Sequence, residues 1–251
     1  MMKKLINRLF GVIGYQVVRS NPVITSEATC TFLEGYLTAL AARSAPLTII
    51  QCGANDGITV DPIRRFVLKN SARIRLVLIE PMPDVFDMLK KNYEDIADVK
   101  FLNIAAGPDA NLRLYRIKPE YSARYLGIIA TGITSFNKEY VQEKARKMVR
   151  VPGVADEDKI ESILVPTRSL QSIISDYALD ESNVFVQIDT EGYDDHVIYS
   201  LGESEGLPEG INYEFRHFTE DRYLNLKRAL GAQDYRVSRW NNNDELAFKY
   251  R

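Results

Sequence analysis

Short apolar runs alternate with stretches of helical periodicity along most of this chain, and that alternation restricts it to an α/β architecture built on a parallel sheet. The runs LTIIQC at 47–52, RLVLIE at 75–80 and NVFVQID at 183–189 are apolar at successive positions, not merely at every second one. Strands of that kind are buried on both faces and need helices above and below. Further strands are expected at 99–105, 111–116 and 211–215. Between them, Ile63, Phe66 and Val67 share a helical face after the cap Asp61-Pro62, as do Val85, Phe86, Met88 and Leu89 after Pro83-Asp84. Leu170, Ile173, Ile174 and Tyr177 form a third such face, and a helix from the N-cap Thr219 to Gly231 a fourth. Segments 235–240 and 246–250 flank the stretch NNND and predict a terminal antiparallel hairpin. The expectation is one Rossmann-like α/β domain over residues 46–251, with a seven-stranded, mostly parallel sheet. A helical extension over 1–45 precedes it, and a segment at 117–166 is inserted into it.

Composition narrows the partners. With 45% hydrophobic residues in 251, the chain can bury a substantial core. Thirty-two Lys and Arg against thirty-four Asp and Glu leave a net charge of −2, without the basic excess of a general nucleic-acid binder. Two cysteines, Cys30 and Cys52, make no disulfide scaffold and suit a reducing compartment, so a cytoplasmic location is expected. No run of about 18 apolar residues is present to span a membrane. In residues 1–18, Leu5, Ile6, Leu9, Phe10, Val12 and Ile13 form an apolar stripe opposite Lys3, Lys4 and Arg8. That pattern admits two readings: a peripheral helix on the inner face of the membrane, or a helix packed on the domain or on a second copy in a homodimer.

The inserted segment departs from the α/β rhythm. Between Arg116 and Arg150 there are eight Lys and Arg against three Asp and Glu, with Tyr121, Tyr125 and Tyr140 among them and a helix expected at 137–149. Long segments of this kind in a compact domain are often functional, although a basic helix is also an ordinary solvated face. Thr134 and Ser135 within it are either substrate contacts or a simple turn.

In a doubly wound sheet, ligands bind outside the carboxyl ends of the strands. The first end carries GANDG at 53–57, where glycines permit a tight turn and close approach of a ligand. The second carries Glu80, twenty-three residues after Gly57, placed to accept ribose hydroxyls. Asn103 ends the third, and Asp189, Glu191 and Glu214 end the later strands. A glycine turn, a ribose acid and clustered carboxylates together describe a nucleoside pocket. A dinucleotide such as NAD wants Gly-x-Gly-x-x-Gly, whereas this loop reads Gly-x-Asn-x-Gly, with Asp56 and Asp61 close by. Negative charge there opposes a diphosphate and not a sulfonium. S-adenosylmethionine is the favoured ligand, a nicotinamide-dependent oxidoreductase the rival enzyme, and a non-catalytic binding protein the rival of another class.

The ordered set of motifs resembles the FkbM-type S-adenosylmethionine-dependent methyltransferases over roughly residues 47–237. VFVQIDTEG at 184–192 resembles that family's apolar strand followed by Asp-x-Glu-Gly. GANDG resembles its Gly-Ala-Asn-x-Gly loop, Glu80-Pro81 its acid-proline pair, and VPTRSL at 165–170 the lead into its next helix. One position departs: Gln51 stands where an Asp is usual and can hydrogen-bond the amino-acid end of the cofactor without supplying charge. The resemblance implies a class I methyltransferase fold with Gly53, Asn55 and Gly57 along the methionine moiety, Glu80 on the ribose and Asn103 near the adenine. It also implies O-methylation, with a sugar, free or in a surface polysaccharide, as the expected acceptor.

Methyl transfer is an in-line displacement, and a sugar hydroxyl needs its proton removed by a carboxylate or histidine within reach. Asp189 at its strand tip is the first candidate for that base, with Glu191, Glu214 and His217 as further catalytic candidates. No metal is favoured. The alternative is a divalent ion on Asp189, Glu191 and Glu214, or on His217 in place of Glu214, since oxygen-rich sets suit Mg²⁺ or Mn²⁺. His196 reads as a surface residue, and Glu191 also reads as an acid placed favourably at a helix N-terminus.

Overall fold

The computed structural model describes residues 26–43, 45–125, 132–177, 183–202 and 207–249. The apolar stripe of residues 1–18, with its membrane and homodimer readings, lies outside them. Helix α1 (Ser26–Ala41) leads into strand β1 (Leu47–Cys52), then α2 (Arg64–Asn70), β2 (Ile74–Ile79), α3 (Pro83–Asn92) and β3 (Val99–Leu102). The later half adds α6 (Leu170–Tyr177), β8 (Val184–Ile188), α7 (Asp194–Tyr199), β9 (Gly210–Glu214) and α8 (Glu220–Ala232). The hairpin β10 (Tyr235–Arg239) and β11 (Asp244–Lys249) follows. These strands form one seven-stranded sheet in the order β10-β11-β9-β8-β1-β2-β3. All neighbours are parallel except β11, which runs antiparallel to both β9 and β10. The order reverses between β1 and β8, and that switch point fixes where a ligand can enter.

Period-2 alternation explains the two faces. Leu47 and Ile49, Leu76 and Leu78, and Phe185 pack on one face against Leu33, Leu37 and Leu40 of α1, Phe66 and Val67 of α2 and Leu89 of α3. Ile50, Val77, Val186 and Ile188 pack on the other against Ile173 of α6, Val197 and Ile198 of α7 and Leu226 and Leu230 of α8. Three helices thus cover each face, as two-sided apolar strands require. Helix α1 is also tied to the start of β9: Tyr36 donates to the Glu209 carbonyl at 2.8 Å, and Arg43 pairs with the Glu209 carboxylate at 2.9 Å. Helix starts follow their caps. Pro83 opens α3 and the Thr219 hydroxyl accepts the Arg222 N–H of α8, whereas Asp61, expected to cap a helix with Pro62 in its first turn, accepts the N–H groups of Ile63 and Arg64 in a turn before α2, which starts at Arg64 with Ile63 at its N-cap position.

The inserted segment is a second sheet, and it begins earlier than residue 117. The chain leaves the main sheet after β3, and β4 (Ala105–Ala106) pairs with β7 (Ile160–Arg168) instead of extending β3. β5 (Ala110–Ile117) runs antiparallel to β7 over its whole length, and β6 (Thr134–Ser135) closes the order β4-β7-β5-β6. Helices α4 (Pro119–Tyr125) and α5 (Lys138–Met148) belong to the same unit, α5 capped by Asn137 Oδ1 on the Tyr140 N–H at 3.0 Å. Ile117, Ile133, Val141, Ala145, Val149 and Ile160 give it a small core of its own, while Leu114 and Val165 pack with Met82 and Val85 of the main domain.

Gly53 joins the two halves of the main sheet. It takes φ +77°, and a Cβ there would lie 1.9 Å from the Asp189 carbonyl oxygen. Gly153 has nearly the same φ, +76°, but open space around it. Left-handed backbone alone costs a substituted residue about 1–2 kcal/mol. Gly153→Ala is therefore expected to lower the unfolding free energy by about that amount and Gly53→Ala by clearly more, measured by urea denaturation. Equal losses would contradict the close approach of β1 to β8.

Candidate active site

Five strand ends bring the chemistry-bearing residues to one edge of the main sheet. The loop after β1 folds over the β2 terminus, where the Gly53 and Ala54 N–H groups both donate to the Ile79 carbonyl at 3.0 and 2.9 Å. Asn55 (φ +51°) and Gly57 (φ +71°) are left-handed; at Gly57 a Cβ would meet the Tyr93 ring at 2.4 Å. Asp56 and Asp61 serve the loop itself. Asp56 Oδ1 accepts the Ile58 and Thr59 N–H groups at 2.9 and 2.7 Å. Burial works to raise its pKa, but these bonds prevail and hold it below the usual carboxylate range. Asp61 is pushed up by burial, and the Tyr93 hydroxyl donates to it at 3.1 Å. Both charges are thus engaged locally.

Glu80 is 6% exposed. Its Oε2 accepts the Asn55 N–H at 3.0 Å and its Oε1 the Met82 N–H at 2.9 Å, so each oxygen keeps a further lone pair for a ligand hydroxyl. Burial raises its pKa to about 7, with the charge of Asp84 adding to the shift. Asn103 is exposed and donates to the Glu80 and Pro81 carbonyls at 2.8 and 3.1 Å, fixing the β2 end. Gln51 Oε1 and Asn55 Oδ1 are buried with no hydrogen-bond partner among the described residues. Orphaned acceptors beside a glycine turn fit the ammonium-bearing end of S-adenosylmethionine, and Glu80 fits its ribose.

The second cluster lies at the tips of β8 and β9. The Asp189 carboxylate has no hydrogen-bond or ion-pair partner among the described residues, whereas its acidic neighbours are held. Its carboxyl is raised well above the ordinary value, first by crowding from the protein and then by Glu214, Asp194, Glu191 and Asp244. The side chain is nevertheless exposed to solvent, so the four surrounding carboxylates are the firmer cause. Asp194 laces the two tips together, accepting the Thr190 hydroxyl at 2.9 Å and the Glu214 N–H at 3.1 Å. Burial lifts its pKa to about 7.

Glu191 takes φ +51° ahead of Gly192 at φ +93°. The insertion closes on it: Ser135 Oγ donates to its carbonyl at 2.9 Å, and the Tyr140 hydroxyl donates to its Oε2. His217 Nε2 lies 3.4 Å from Glu191 Oε2 and 3.2 Å from Glu214 Oε2. These two carboxylates, Glu191 first, lift the imidazole pKa to about 9, and burial opposes them. Burial also works to raise Glu191, but His217 and Tyr140 outweigh it and hold the acid low. Arg216 Nε stands 2.8 Å from Glu214 Oε1 and 3.0 Å from His217 Nε2. Behind this cluster Arg222 bonds Asp195 Oδ2 at 2.8 Å and the Gly192 carbonyl at 2.8 Å. His196 is partly exposed and stacks on Tyr193 at 4.3 Å, with Phe136 of the insertion on the same ring at 4.6 Å.

The structure therefore draws Gln51, Gly53, Asn55, Gly57, Glu80 and Asn103 to one side of the edge and Asp189, Glu191, Glu214 and His217 to the other. Of the metal alternatives, the grouping that forms is Glu191, Glu214 and His217, without Asp189. Ser135 proves a contact to Glu191, beyond the simple turn. Tyr140, Arg216 and Asp194 are site residues that sequence reasoning did not single out. Tyr140 lies 51 positions from its partner, and no local pattern marks such a pair. The Asp pair after Gly192 carried a signal, since two acids in the first turn of an otherwise apolar helix invite a search for their partners. A depression of about 490 Å³ lined by Arg43, Arg73 and Asp98 lies at the opposite, amino ends of the strands and has no share in this chemistry.

Residues 51–237 match the Methyltransferase FkbM domain. A comparison with curated proteins returned no match. Among solved structures, a human methyltransferase 10 domain containing protein aligns over 99% of this chain and 96% of its own, at 12% identity and a TM-score of 0.44. A precorrin-6y C5,15-methyltransferase from Geobacter metallireducens aligns over 93% and 94%, at 12% identity and 0.38. Aeropyrum pernix fibrillarin, solved with S-adenosylmethionine bound, aligns over 89% and 74%, at 10% identity and 0.39. Similarities this low carry nothing about substrate.

Glu80 supplies the test of the cofactor half. Its carboxylate ionises as pH rises through about 7, and the ionised form is the better acceptor for ribose hydroxyls. S-adenosylhomocysteine is expected to bind several-fold more tightly at pH 8 than at pH 6 in calorimetric titrations. Glu80→Gln should weaken binding about tenfold and remove that dependence; an unchanged pH profile in the variant would place the ribose elsewhere.

Proposed function

The chain belongs to the FkbM methyltransferase family, and on that premise we propose that it moves the methyl group of S-adenosylmethionine to a hydroxyl oxygen, with a sugar, free or within a surface polysaccharide, as acceptor. The observation that carries the O-methylation reading is Asp189. Among the described residues no hydrogen bond or ion pair engages this carboxylate at the tip of β8, at the strand end where a Cβ on Gly53 would meet the Asp189 carbonyl oxygen. A base must be free to take a proton, and the neighbouring acids Glu191, Asp194 and Asp195 are committed to other groups, as is Glu214 through Oε1 on Arg216.

Bound S-adenosylmethionine would supply an electrophilic methyl carbon and a neutral thioether as leaving group, which keeps the electron pair of the broken carbon–sulfur bond. The chain's own part is alignment and proton removal. Gly53, Asn55 and Gly57 shape the methionine side, and Glu80 holds the ribose. Asp189 takes the hydroxyl proton as the oxygen lone pair is committed to carbon, and water then removes that proton from the carboxyl. In-line geometry of this kind provides much of the rate. The insertion supports a glycan acceptor. It brings Tyr140 and Ser135 onto Glu191, two positions from Asp189, and sets Phe136 on Tyr193, a mixture of hydroxyl oxygens able to accept and rings suited to a sugar's hydroxyls and apolar face. Among the described residues no helix is long and apolar enough to cross a membrane. A cytoplasmic setting against the inner membrane face, through residues 1–18, accords with an acceptor on its way to the cell surface.

Asp189→Asn keeps the shape and removes the base. Transfer from labelled S-adenosylmethionine to a glycan acceptor is expected to fall about 10²- to 10⁴-fold, with S-adenosylhomocysteine affinity within about threefold of wild type. Full activity in the variant would remove Asp189 as base, and turnover confined to lipid or polyketide hydroxyls would remove the sugar.

A further inference from the structure

The geometry points to a divalent-cation site formed by Glu191, Glu214 and His217. One carboxylate oxygen from each acid and one imidazole nitrogen lie within 4.8 Å of one another. His217 Nε2 is 3.2 Å from Glu214 Oε2 and 3.4 Å from Glu191 Oε2. Two donors bound at right angles to one ion at about 2.1 Å stand about 3 Å apart. These side chains therefore need only small shifts to share an ion.

A group of acids does not by itself make such a site. The second observation is Glu214 Oε2, which is buried and makes no hydrogen bond among the described residues, its charged neighbour being the His217 imidazole at 3.2 Å. The residue is 7% exposed, and Arg216 engages only its other oxygen, at 2.8 Å. A buried carboxylate oxygen left without a hydrogen bond is costly, and in native proteins it commonly marks an ion or water that completes the site. Here the open oxygen faces the imidazole nitrogen, the atom that an ion between them would also take.

The surroundings have the construction of a metal centre. Ligating carboxylates are oriented by outer donors; the Tyr140 hydroxyl holds Glu191 Oε2, Ser135 fixes the Glu191 carbonyl, and Asp194 fixes the Glu214 N–H. Two carboxylates with one imidazole mix hard and intermediate donors, a set suited to Mn²⁺ more than to Mg²⁺, which prefers oxygen alone. Asp189 stays outside the triangle. A divalent ion supplies Lewis acidity toward a nearby hydroxyl. The site does not rest on the acceptor assignment, because ion binding is read directly.

The test uses the full chain, stripped with EDTA, dialysed and titrated with Mn²⁺ while free Mn²⁺ is followed by electron paramagnetic resonance. One Mn²⁺ per chain is expected, with Glu214→Gln and His217→Ala each weakening binding at least tenfold and Tyr140→Phe a few-fold. S-adenosylhomocysteine binding in the same samples reports folding. Wild-type chain that binds S-adenosylhomocysteine but no stoichiometric Mn²⁺ overturns the site, as does Mn²⁺ binding unmoved by Glu214→Gln. Should Glu214→Gln fail to fold, Tyr140→Phe decides, and unchanged affinity there overturns the site. Wild-type chain that binds Mn²⁺ but not S-adenosylhomocysteine contradicts the methyl-donor reading and leaves the cation site standing.

Discussion

The carboxyl edge of this protein depends on one backbone contact, the approach of Gly53 to the carbonyl of Asp189. A side chain at residue 53 would have to occupy the space of that oxygen. Because none is present, the loop after β1 lies directly against the tip of β8, where the Asp189 N–H donates to the Cys52 carbonyl at 3.0 Å. The ligand-shaping loop and the free carboxylate are thereby held by main-chain atoms, which move less than side chains. In the proposed reaction the loop presents the methyl group and Asp189 takes the proton, and both need that fixed relation, since in-line displacement tolerates little misalignment.

Around this contact the acids divide by what they touch. Asp56 and Asp61 stabilise their own loop. Glu80 is held by two N–H groups, Asp194 joins two strand tips, and Asp195 anchors Arg222, which in turn holds the Gly192 carbonyl. Glu191 and Glu214 enclose His217 under the insertion. Among the described residues at this edge, Asp189 keeps a carboxylate with neither oxygen engaged. A net charge near zero conceals this division.

Much of the frame was legible in the sequence because it follows from local rules. Two-sided apolar runs marked β1, β2 and β8, the cap Thr219 began its helix where the structure begins it, and the helix expected at 137–149 forms over Lys138–Met148. The hairpin at 235–249 was equally plain. The second sheet was not legible as a sheet. β5 was readable only as an extended piece, because its partner β7 lies some forty residues later, and nothing local states which strand a strand will join. The same reason hid Tyr140 on Glu191 and Arg222 on Asp195. Each pairing is made by the fold, and the sequence supplies only its two ends. The crowding of the loop by Asp56 and Asp61 was visible, but their engagement by neighbouring N–H groups was not.

Everything proposed for this edge requires that it bind the methyl donor and not a dinucleotide. Parallel calorimetric titrations of the purified full chain with S-adenosylhomocysteine and with NADH test it most directly. One S-adenosylhomocysteine per chain and no heat from NADH are expected. Stoichiometric NADH binding, or no S-adenosylhomocysteine binding by folded protein, would contradict it.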